Sequence, residues 1–160
     1  MCIADAAFFA ERPGNGEYSD FGCWNNAANN AGGMFRRTSN LGEFADLPVT
    51  MNLKTVRGYA EAGGVGLDGV KLKIIRDAEL KGKGVFGYAH PNGKQIDLYP
   101  DAFSSPENLI RTLGHERTHI YQFRTLGPET EAAFGGSLYE RAAFGAEDAF
   151  IQFWKSGGAQ

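Results

Sequence analysis

One helix sets the layout of the C-terminal half of this chain. It opens at Ser104, Ser105, Pro106 and Glu107, where Ser caps, Pro starts the first turn and Glu is placed to complete a capping box. It closes near Arg124, ahead of Gly127 and Pro128, because Gly accepts the left-handed cap conformation and Pro cannot continue a helix. Leu109, Ile110, Leu113 and Ile120 form an apolar stripe that anchors it. Beside that stripe His115 and His119 stand four residues apart, so their imidazoles share one face within reach of a single ion. Glu116 projects about 100° round from His115, where a carboxylate reaches a water held by that ion without being a ligand.

The rest of the chain is read around this helix. Its 160 residues fit one domain, and 22 Gly indicate a loop-rich fold. Residues 1 to 45 lack sustained periodicity, although Asp20 to Ala31 has the makings of a short helix before Gly32 and Gly33. Between 50 and 100 VTMNLKTV alternates weakly, VKLKII is β-branched, and VFGYAH and KQIDLY flank Pro91, Asn92 and Gly93 as strands flank a hairpin turn. A small antiparallel sheet is expected there. The helical part then runs over 104–157, with a last helix capped by Ser137, running from Leu138 to about Lys155 and closed by Gly157 and Gly158. The expected class is α+β: a small antiparallel sheet, a helix bearing H-E-x-x-H, and a C-terminal helix bearing a further ligand.

Composition excludes some partners. With 16 Lys and Arg against 19 Asp and Glu, the net charge of −3 gives no footprint for nucleic acid or an anionic membrane. No run is long and apolar enough to span a bilayer, so a soluble protein is expected. The N-terminus lacks a basic region and carries Asp5 within its short apolar stretch, which argues against a secretion signal. Cys2 and Cys23 match no metal-knuckle spacing and leave the compartment open.

A catalytic zinc takes three protein ligands and water, so a third ligand is sought outside the first helix. Glu140 and Glu147 sit two turns apart on the last helix among Ala143, Phe144 and Ile151, and a buried carboxylate needs a cation or donors to offset its desolvation. Glu140 is the candidate ligand, with a capping box to Ser137 as its alternative role. Glu147 is the candidate acceptor for the distal N–H of a ligating histidine. Glu129 and Glu131 read as first-turn acids favoured by the helix dipole. His90, beside the hairpin turn, reads as a solvated residue before a ligand or substrate contact. Tyr139, Tyr121, His90 and Arg141 are the candidate donors to a developing oxyanion.

HERTH resembles the signature of zincin metallopeptidases, and YERAAFGAEDAF resembles the glutamate-bearing helix of the gluzincins. The resemblance implies a sheet with a substrate-binding edge strand, an active-site helix and a ligand helix, with His115, His119 and Glu140 on zinc and Glu116 as base. Tyr139 stands where thermolysin-like enzymes carry asparagine, which sets the chain apart from that subfamily. The run GYAHPNGKQIDLYPDAFSSPENLIRTLGHERTHIYQ is similar to metallopeptidase effector domains of bacterial polymorphic toxins, over about residues 84 to 155. That likeness implies export within a larger carrier, action in a target cell on a peptide or protein substrate, and a cognate immunity protein. The rival readings are a non-catalytic module with a structural zinc and a zinc amidase acting on a cell-wall linkage.

Overall fold

A computed structural model describes residues 40–128 and 137–158, without the Ser137 side chain. The expected helix at Asp20–Ala31, Cys2, Cys23, Glu129, Glu131 and the Ser137 cap lie outside what is described.

The first long element is a helix, α1 (Leu53–Ala62), where a strand was expected from VTMNLKTV. The Asn52 side chain decides this by accepting the Thr55 N–H at 2.7 Å, as an N-cap does. Val56, Tyr59 and Ala60 then follow at helical spacing and are all buried. The expected strand over VKLKII appears as β1 (Lys71–Ile74), and the expected hairpin as β2 (Gly87–Ala89) and β3 (Gln95–Leu98). Its turn closes through Gly93 N–H to the His90 carbonyl, with Gly93 at φ 68°.

The sheet is mixed, which corrects the expected antiparallel one. Its order is β1-β3-β2, with β2 antiparallel and β1 parallel to β3. The hairpin occupies one side of β3, and β1 takes the other. The chain then needs residues 75–86 to cross to the far edge, a crossover that a tight turn cannot make. Among the described residues β2 is thereby an edge strand.

Helix α2 (Pro106–Thr125) follows the expected boundaries closely. The Ser105 hydroxyl accepts the Asn108 N–H at 3.0 Å and Pro106 occupies the first turn. Glu107 closes no capping box; its carboxylate pairs with Arg111 at 3.0 Å and Lys155 at 3.3 Å. Leu109, Ile110, Leu113 and Ile120 are fully buried. Helix α3 (Ser137–Lys155) packs along α2, which also contacts the sheet and α1. One apolar cluster joins all these elements, from Val56 of α1 through Ile96 and Leu98 of β3 to Leu113 of α2 and Phe150 of α3. No helix among the described residues is long and apolar enough to cross a membrane.

Candidate metal centre

α2 and α3 meet where a large ring of α3 needs α2 to be small. A Cβ on Gly114 would stand 2.2 Å from Phe150 Cδ2, so the helices reach this separation only because residue 114 has no side chain. That close approach carries Glu140 and Glu147 of α3 over the next residue of α2, His115. The Nε2 atoms of His115 and His119 lie 3.1 Å apart. Glu140 completes a triangle, with Oε2 at 3.4 Å from His115 Nε2 and Oε1 at 3.3 Å from His119 Nε2. Their candidate ligand atoms all fall within 4.8 Å of one another, a grouping that can hold a metal ion.

The outer ring nitrogens fix which atoms face that triangle. His115 Nδ1 lies 2.9 Å from Glu147 Oε1, an acceptor, so Nδ1 carries the proton. His119 Nδ1 lies 2.9 Å from Gln122 Oε1, and the orientation of that amide is set because its Nε2 donates to the Tyr139 carbonyl at 3.1 Å. In the neutral histidines both Nε2 lone pairs then point into the same space. Two lone pairs at 3.1 Å repel unless a cation or a proton sits between them. Burial opposes charge on His115, but the Glu147 hydrogen bond and the charges of Glu116, Glu140 and Glu147 outweigh it and raise its pKa. Burial and the neighbouring His115 lower that of His119.

The desolvation argument for Glu140 does not hold, because its side chain is 49% exposed at the cleft mouth. Position, not burial, makes it a candidate ligand. The argument applies instead to Glu147, 17% exposed, whose charge is met by His115 and by the Arg111 guanidinium at 3.6 Å.

Glu116 is buried where β2 crosses α2. A Cβ on Gly87 would lie 2.8 Å from Glu116 Cγ and 2.7 Å from Thr112 Cγ2, so glycine lets the strand rest directly on this carboxyl group. Burial raises its pKa to about 7, while His115 and a hydrogen bond from the Ala89 backbone hold it lower than burial alone would. A cation in the adjoining triangle would favour the carboxylate further.

Comparison with protein-family models, curated proteins and solved structures finds no match.

The site opens on a cleft of about 520 Å³ between β2 with its preceding loop and the two helices. His115, Glu116, His119, Glu140 and Glu147 all line it. The other sequence candidates are not among its lining residues. His90 Nε2 is paired with Asp97 Oδ2 at 3.0 Å across the hairpin. The Tyr139 hydroxyl donates to the Gly127 carbonyl at 3.1 Å, and its ring is buried against Phe123. Tyr121 and Arg141 are exposed elsewhere. Sequence reasoning missed Gln122, Gly114 and Gly87. Gln122 was within its reach, since a residue three after His119 shares its helix face.

Proposed function

We propose that this chain is a zinc-dependent metallopeptidase, with His115, His119 and Glu140 as ligands and Glu116 as general base. The observation that carries this is the convergence of two Nε2 lone pairs and a carboxylate on one point beside a buried second carboxyl group. A tetrahedral zinc with bonds of about 2.0–2.1 Å holds its ligand atoms roughly 3.3 Å apart. The two Nε2 atoms are 3.1 Å apart and each has one of the two Glu140 oxygens at 3.3–3.4 Å, so the donor set fits with a small turn of the carboxylate that brings one oxygen to the shared point. When bound, zinc supplies Lewis acidity that activates water near neutral pH and polarises a carbonyl.

The chain's own groups account for the remaining steps. Glu116 takes the proton of the attacking water and delivers it to the leaving amine nitrogen. The Ala89 N–H holds its carboxyl group in place beneath β2. Glu147 and Gln122 keep the two imidazoles in the tautomer that turns Nε2 inward. β2 offers a way to hold an extended substrate. His90 N–H bonds to Gln95 and the Phe86 carbonyl accepts from Tyr99, so the even-numbered residues pair with β3. Among the described residues Gly87 therefore turns its N–H and carbonyl, and Ala89 its carbonyl, to the open edge, where a peptide can pair as an added strand while the Ala89 N–H stays on Glu116. Val85, Phe86 and Phe144 are exposed apolar side chains lining the same cleft, suited to apolar residues near the scissile bond.

This edge favours a peptide over a non-peptide amide. A structural zinc is usually closed by four protein ligands, whereas the group among the described residues has three and faces a cleft. Deployment as an exported effector with an immunity partner rests on the sequence likeness alone. The test is incubation with an unfolded protein rich in apolar residues. Cleavage should occur, cease with a chelator and return with zinc. Cleavage that persists unchanged in chelator would overturn the reading.

A further inference from the structure

The wall of the cleft that carries Val85 and Phe86 belongs to a loop with little packing of its own. Residues 82–86 are all exposed, in the sequence Gly-Lys-Gly-Val-Phe. Such a loop is expected to sample many conformations, since glycine restricts the backbone least. Yet two of its amides converge on one carboxylate. Asp101 Oδ1 accepts the Gly82 N–H at 2.6 Å, and Oδ2 accepts the Gly84 N–H at 2.7 Å. The convergence needs glycine at both positions, because each has a positive φ, 74° and 73°.

The acceptor belongs to the buried part of the fold. Asp101 is buried in the short 3-10 turn Pro100–Ser104 that leads into α2, flanked by fully buried Ala102 and Phe103. The Phe103 carbonyl accepts from Val49, and Ser104 Oγ donates to the Asp101 carbonyl, so the turn is tied on both sides. Hydrogen bonds to an ionised carboxylate are among the stronger ones, and a bidentate pair also fixes direction. The Lys83 N–H meanwhile bonds within the loop, to the Leu80 carbonyl.

We infer that Asp101 is a positioning residue that holds the Val85–Phe86 wall against the cleft, and so sets how well apolar substrate residues are bound. It touches neither the metal ligands nor Glu116, and it acts through the loop backbone. The inference rests on the peptidase reading for its effect on substrate, but the loop geometry is tested without it.

Two measurements decide the matter. Hydrogen exchange on the wild-type chain should show the Gly82 and Gly84 amides protected although both residues are exposed. Asp101→Asn should speed their exchange by about tenfold or more while α2 stays protected and zinc content is unchanged. For cleavage of a peptide with bulky apolar residues, Asp101→Asn should raise KM about tenfold with kcat within about twofold. In a Phe86→Ala background the same substitution should change KM by less than about twofold, because the wall it positions is already cut back. Unprotected glycine amides in the wild type would overturn the inference even if Asp101→Asn fails to fold. Equal KM effects in both backgrounds, or a fall in kcat matching the rise in KM, would overturn it too. A wild type that cleaves nothing overturns the peptidase reading instead, and exchange then still decides whether Asp101 holds the wall.

Discussion

Glu116→Gln is expected to keep its zinc and lose at least about 100-fold in turnover, the lower end of what a positioned general base contributes. The substitution preserves size, and the amide oxygen can still accept the Ala89 N–H, so β2 should stay seated on the side chain. What disappears is the one carboxylate, among the described residues, placed to take a proton at that point. Glu140 and Glu147 do not substitute for it, the first being placed at the ligand triangle and the second bonded to His115 Nδ1. Steady-state cleavage together with zinc content checks this. Near-wild-type activity with zinc bound would remove Glu116 from the mechanism.

Gly114→Ala should damage the site without touching any ligand. Its added Cβ would meet three atoms of the Phe150 ring at 2.2, 2.7 and 2.9 Å, and Phe150 is itself only 2% exposed, with no room to swing aside. Overpacking of this kind costs about 1–3 kcal/mol, more than the roughly 1 kcal/mol that alanine gains over glycine in a helix. The strain is relieved by moving α3 off α2, which carries Glu140 away from the histidines. Zinc affinity should fall about 10- to 100-fold, as when a ligand's support is lost. Gly145 supplies the control, since a Cβ there meets nothing within 4 Å, and Gly145→Ala should stabilise by about 0.5–1 kcal/mol. Thermal unfolding and zinc titration of both variants check the contrast. A Gly114→Ala chain as stable and as tight for zinc as wild type would show that helix contact does not set the site.

The helix α2 was legible because every local signal agreed: the Ser105 cap, Pro106, the Leu109 to Ile120 stripe and the Gly127 stop. The segment that forms α1 was not. In VTMNLKTV the apolar residues alternate over too few positions to separate a period of 2 from one of 3.6, and the deciding feature is a cap made by one side chain, Asn52. The β2–β3 hairpin follows from its own turn, whereas the parallel pairing of β1 with β3 joins residues far apart in sequence and has no local signature. Within the site, His115, Glu116 and His119 are placed by helix spacing alone. The position of Glu140 opposite them depends on how α3 docks, and that is set by the fit of Phe150 over Gly114. His90 was hard to place from sequence because its partner Asp97 becomes its neighbour only once the hairpin forms.

The proposed zinc site at His115, His119 and Glu140 is tested most directly by zinc titration of the wild-type chain. One zinc per chain should bind at neutral pH. Glu140→Ala should weaken binding far more than Glu147→Ala, because the first removes a bond to the metal while loss of a supporting acceptor costs only about 10- to 100-fold. A wild-type chain that takes up no zinc, or a Glu140→Ala chain that binds it as tightly as wild type, would contradict the assignment.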